Sequence, residues 1–97
     1  MRRVDGKLLG PVVIHEDTDF HGMIDGEARV GPGVTFLVHG MIAGDLRIER
    51  DATVELRGMV AGSAFNRGKL IIYGVVRGLV HNEDAGSASV VTDAVRR

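Results

Sequence analysis

Apolar and polar residues alternate along most of this chain with a period of two. The even positions from 36 to 48 read Phe36, Val38, Gly40, Ile42, Gly44, Leu46 and Ile48. The odd positions, Leu37, His39, Met41, Ala43, Asp45, Arg47 and Glu49, are mixed and mostly polar. Successive side chains of a strand point to opposite faces, so this alternation marks strands with one buried and one wet face. A helical period of 3.6 does not fit, and glycine at every fourth position would weaken any helix. The pattern predicts β structure, with even-numbered side chains turned inward from Thr18 to Val80.

The alternation is organised as a repeat. "HGMIDG" at 21–26, "HGMIAG" at 39–44, "RGMVAG" at 57–62 and "YGVVRG" at 73–78 align. Their leading glycines, Gly22, Gly40, Gly58 and Gly74, lie 18, 18 and 16 residues apart, and the trailing Gly26, Gly44, Gly62 and Gly78 keep that spacing. The aliphatic pairs Phe36/Val38, Val54/Leu56 and Leu70/Ile72 precede the later units in the same frame. Strands at this interval leave no room for helical crossovers, so the chain is expected to coil upon itself. Each coil then lies about 4.7–4.9 Å above the last, joined by parallel backbone hydrogen bonds. The prediction is an all-β, single-domain parallel β-solenoid (β-helix) of about four coils over residues 12–82. Residues 1–11 are expected to form an N-terminal cap or tail, and 83–97 a C-terminal tail or cap. "VGPGV" at 30–34 and "NRG" at 66–68 are read as corners where coil length changes by two residues. The inward glycines are expected at bends where the chain crowds the axis and a Cβ would not fit.

The same parity places Met23, Met41, Met59 and Val75 in one outward column, with Leu37 and Ile71 in a neighbouring one. An apolar ladder on a polar coil suggests contact with another subunit, a partner protein or lipid, for which methionine is adaptable. The alternative is a terminal segment folded back over the column, which would make it ordinary core.

A second outward column reads His21, His39, Arg57, Tyr73. It touches the stretch "HEDTDFH" at 15–21, which holds two histidines and three carboxylates. His15 and His21 would be about 20 Å apart along a straight strand, whereas zinc donors converge within about 2 Å of one ion. His21 and His39 are close enough to share an ion, but Arg57 next in the column would oppose a cation. No metal site is expected. If both rings were protonated they would repel, so stability or assembly is expected to weaken below about pH 6.

Composition narrows the function. Twelve basic residues against 13 acidic ones leave no broad electrostatic footprint for nucleic acid, although Arg2, Arg3, Lys7, Arg96 and Arg97 make both ends locally basic. The absence of cysteine removes disulfides, zinc-finger clusters and thiol nucleophiles, in keeping with a cytoplasmic protein. No apolar run approaches the roughly 20 residues of a membrane span, and the amino terminus lacks the apolar segment of a secretory signal. Ser63, Ser87 and Ser89 have no histidine at a triad-like spacing. "GEARVGPG" lacks the lysine and following helix of a phosphate loop. Glu49/Asp51 and Glu83/Asp84 read as solvated charges at corners or in the tail. No catalytic residue and no cofactor is expected, and the chain is read as a non-enzyme.

Aliphatics punctuated by G-x-[IV]-x-G, as in "VHGMIAGDLRI", "LRGMVAGSAF" and "IYGVVRGLV", resemble the bactofilins, polymer-forming bacterial cytoskeletal proteins. The resemblance covers residues 12–82. It implies a right-handed triangular β-helix that polymerises end to end without nucleotide, often beside the inner membrane. The chain has fewer coils than the usual bactofilin core and no evident apolar membrane-targeting tip, so membrane contact is left open. A competing pattern places an apolar residue at every sixth position from Ile24 to Val60, resembling the hexapeptide repeat of left-handed β-helices; that frame fails at Asn66. A further alternative is a capped, soluble solenoid binding a specific protein, such as an inhibitor or immunity-type module.

Overall fold

The computed structural model describes residues 1–83 and the strand 87–90. Among these residues there is no helix, and sixteen short strands wind into a parallel β-solenoid. The first coil contains β1 (Arg2–Val4), β2 (Lys7–Leu9) and β3 (Val12–Ile14). The second contains β4 (Thr18–Phe20), β5 (Met23–Asp25) and β6 (Ala28–Val30). The third contains β7 (Thr35–Val38), β8 (Met41–Ile42) and β9 (Leu46–Ile48). The fourth contains β10 (Thr53–Leu56), β11 (Met59–Val60) and β12 (Ala64–Asn66). The fifth contains β13 (Lys69–Ile72), β14 (Val75–Val76) and β15 (Val80–Asn82), and β16 (Ser87–Val90) opens a sixth. Each coil gives one strand to each of three sheets, ordered β1-β4-β7-β10-β13-β16, β2-β5-β8-β11-β14 and β3-β6-β9-β12-β15.

The solenoid is therefore longer than the four coils expected. Residues 1–11, read as a cap or tail, supply most of the first coil: Arg2–Val4 pairs with Thr18–Phe20, and Lys7–Leu9 with Met23–Asp25. The segment "DGKLLG" at 5–10 is a fifth copy of the glycine-flanked unit, 16 residues before "HGMIDG". In the expected C-terminal tail, Ser87–Val90 pairs with Lys69–Ile72. Residues 84–86 and 91–97 of that tail, including most of "VVTDAV", lie outside the described residues.

Inside, side chains stack in columns set by the register. One column runs Thr18, Phe36, Val54, Leu70, and another Phe20, Val38, Leu56, Ile72. A third runs Leu8, Ile24, Ile42, Val60, Val76. From Phe20 to Leu70 the apolar members of these columns have essentially no exposed surface. Even positions leave the interior where the long corners turn: Pro32 and Arg50 are exposed beside Gly33 and Asp51, whose φ angles are +72° and +63°. Asp tolerates this left-handed conformation better than most residues.

The glycines serve a different purpose from the one expected. A Cβ on Gly40 would lie 1.7 Å from the carbonyl oxygen of Gly22, and one on Gly58 1.7 Å from that of Gly40. The obstruction is the backbone of the coil below, not the shaft. At these corners the missing side chain would run along the stack, so only glycine lets coils approach to hydrogen-bonding distance.

Coil length changes at the corner leading from the third sheet to the first. Asn66 occupies the stack position of Val30 and Ile48 and is fully buried. Its Nδ2 donates to Asn82 Oδ1 at 3.0 Å, and its Oδ1 accepts from the Gly68 amide at 3.0 Å. The second bond closes the short corner as an Asx turn. Asn66→Ala should cost about 1–3 kcal/mol, because it leaves the part-buried Gly68 turn N–H without its acceptor; urea denaturation measures the loss.

Candidate functional site

The described structure offers three places where chemistry or contact is concentrated. The first is the pair of solenoid ends. Among the described residues no strand pairs below β1, β2 and β3 or above β14 and β15, whereas β16 covers the upper edge of β13. At the lower end a cavity of about 170 Å³ opens among Val4, Leu8, Val12, Ile14, Thr18 and Phe20. At the upper end Val80, which stacks on the buried Ala64 of the coil below, is 36% exposed. The lower cavity and the exposed inward Val80 separate the ends from the closed middle of the shaft. Arg2 donates to Glu16 at 2.8 Å beside the lower opening, and that hydrogen bond, with the arginine's charge, lowers the Glu16 pKa.

The second place is the outer face of the second sheet. Met23, Met41, Met59 and Val75 stack in register as expected, above Lys7, and all four apolar side chains are half-buried. Leu37 and Ile71 lie in a neighbouring column that runs Arg3, Asp19, Leu37, Glu55, Ile71, so Glu55 separates them. Parity assigned Leu37 and Ile71 to the right face but did not show which residue stood between them. The eight glycines Gly22, Gly26, Gly40, Gly44, Gly58, Gly62, Gly74 and Gly78 are structural and sit at the corners flanking this sheet. Met41→Lys should disturb lateral contacts while leaving the β signal in circular dichroism intact, since a half-buried lysine stem can lie along the face with its ammonium in water. Loss of that signal would place the column in the core.

The third place is an acid–imidazole group at the corner between the first and second sheets. His21 and His39 follow β4 and β7, and their amides bond to Val4 and Phe20 carbonyls of the coil below, each at 2.8 Å. The in-register backbone stacks the two rings, 4.4 Å between centroids and 8° from parallel. Asp19 Oδ1 lies 2.9 Å from His21 Nε2 and 3.0 Å from His39 Nδ1. The His21 hydrogen bond, followed by the charges of both imidazoles, holds the Asp19 carboxyl below its ordinary range. The sequence reading paired the two histidines but missed Asp19, whose position two residues before His21 on the outward face was the available signal. His15 is not part of this group.

Elsewhere, polar side chains satisfy one another. Arg29, Arg47 and Arg67 on the third sheet pair with Glu49, Glu27 and Glu83 at 3.3–3.6 Å, and Arg47 also covers the Phe65 ring. Ser63 Oγ accepts from the Leu79 amide at 3.1 Å, within a ladder that begins at Asp45. No helix among the described residues is long and apolar enough to cross a membrane. Comparison with protein-family models, curated proteins and solved structures found no match to this chain. Its class is defined by its architecture: a parallel β-solenoid.

Proposed function

We propose that the chain is a non-enzymatic structural protein, a bactofilin-like scaffold that associates with copies of itself end to end and without nucleotide. The observation that carries this reading is the state of the ends. Both present unpaired parallel edges of the same three-sheet cross-section, with the apolar opening among Val4, Leu8 and Val12 below and the exposed inward Val80 above. Such edges recruit another chain unless something covers them. The lower face of one copy meets the upper face of the next, and a head-to-tail contact that does not close into a ring extends as a filament. In full register, β2 and β3 of the second copy add to β14 and β15. Its β1 then takes the edge that β16 holds, so β16 acts as a displaceable cover. On this reading the protein works in the cytoplasm, and contact with the inner membrane is a separate property to be tested with vesicles.

Electron microscopy of the full chain, of Val12→Lys and of a chain lacking residues 84–97 tests the proposal at several salt concentrations. Filaments in the full chain, more abundant on removal of the cover and abolished by the charge at the lower opening, are the expected result. A monodisperse small species in all three would overturn it. That outcome favours the second reading, a capped solenoid binding a specific protein, which the in-register methionine column supports.

A further inference from the structure

We propose that Asp19, His21 and His39 form a binding site for one divalent transition-metal ion, with Zn²⁺ as the probe. The potential ligand atoms of the three residues all lie within 4.8 Å of one another. Imidazole and carboxylate are donors that zinc accepts, at about 2.0–2.2 Å. Tetrahedral bonds of that length place neighbouring donors about 3.3 Å apart. The two imidazole-to-carboxylate distances, 2.9 and 3.0 Å, need open only by a few tenths of an ångström.

The existing contacts show what the ion would replace. A carboxylate oxygen only accepts, so each ring nitrogen facing Asp19 carries a proton. On binding, His21 Nε2 and His39 Nδ1 lose these protons and turn lone pairs to the ion: a charged ring releases one proton to solvent, and a neutral ring takes one up on its other nitrogen, so each ligates as neutral imidazole. The rings must tilt out of their stack for the lone pairs to converge. That movement uses χ2, a broad torsion for histidine, while the backbone amides of both residues stay bonded to the coil below. Three protein donors leave a coordination position for water.

The objection that Arg57 stands next in the column is removed by where its charge goes. Its guanidinium lies 4.2 Å from the centroid of the Tyr73 ring and 3.5 Å from Glu55 Oε1, both among its own coil or the coil above. On the other side, Asp5 is engaged by Arg3 at 3.4 Å. The cluster therefore offers one carboxylate and two imidazoles between neighbours whose charges are already matched.

Titration calorimetry of the full chain without a histidine tag, using zinc chloride near pH 7, should give one ion per chain. Long-range ¹H–¹⁵N spectra of the same unmutated protein should show His21 Nε2 and His39 Nδ1 shifting on zinc addition, with His15 and His81 unmoved. His39→Ala and Asp19→Asn, each checked for folding by circular dichroism, should weaken binding about ten-fold or more, and His15→Ala should not. Absence of binding at millimolar zinc, or shifts confined to His15 or His81, would overturn the proposal. The spectra of the unmutated chain decide the matter even if a variant fails to fold.

Discussion

Gly58→Ala is expected to destabilise the protein by about 3–5 kcal/mol, enough to abolish a marginal fold of this size. The added Cβ would stand 1.7 Å from the Gly40 carbonyl oxygen and 2.8 Å from its carbon. Neither atom can swing aside as a side-chain tip would. The same carbonyl accepts from the Met59 amide at 3.1 Å, and the neighbouring Arg57 and Gly58 amides bond to the Val38 carbonyl at 2.7 and 3.1 Å. Relief requires the third and fourth coils to separate by more than an ångström, which breaks the ladder that holds them. Gly74→Ala makes the same kind of collision, 1.9 Å from the Gly58 carbonyl oxygen, but one coil from the upper end. In a solenoid each repeat contacts only its neighbours, so this second variant should fray the fifth coil and leave the lower four folded. Urea denaturation followed by circular dichroism measures both losses. A Gly58→Ala protein within about 1 kcal/mol of the parent would mean that the coils do not approach so closely at this corner.

This contrast also shows what was legible before any coordinates. Period-two alternation and the 18- or 16-residue interval are direct consequences of a strand stacking on its own copy, so parity predicted the buried columns from Thr18 to Ile72. Departures occurred where stacking ceases to dictate chemistry. The unit "DGKLLG" carries both glycines, but Lys7 stands at the methionine position and Arg2 begins the strand before it, so its apolar signature is weak. A lower end with no strand beneath it can accept such polar residues. Asn66 broke the apolar frame, although it is fully buried; its amide answers the needs of a short corner that hydropathy cannot register. Asp19 was assigned to the correct face. Its convergence with two histidines depended on rotamers and on an 18-residue register, which alternation alone does not express.

Phe36→Ala should cost about 3–5 kcal/mol. Phe36 has no exposed surface and stands between Thr18 below and Val54 above. Its ring meets Phe20 from the adjacent column, 6.1 Å between centroids and tilted by 38°, an arrangement that adds to simple burial. Thr18 is too small to fill the space from below, and the backbone above cannot collapse while its parallel ladder is intact. The variant therefore leaves a cavity at the junction of the second and third coils. Phe36→Leu keeps most of the volume and should cost less than about 1.5 kcal/mol. Because coupling passes only between adjacent coils, the alanine variant should also loosen the lower two coils from the rest. The sign of that uncoupling is a broader urea transition with a smaller slope, whereas a uniform loss shifts the midpoint alone. Phe65 is the natural control: it lies on the outer face, half-buried, stacked on His81 at 4.9 Å. Phe65→Ala should be much the milder change. If the two phenylalanine variants proved equally mild, the inward assignment of even positions at the third coil would fail, and with it the stacked shaft on which the end-to-end reading rests.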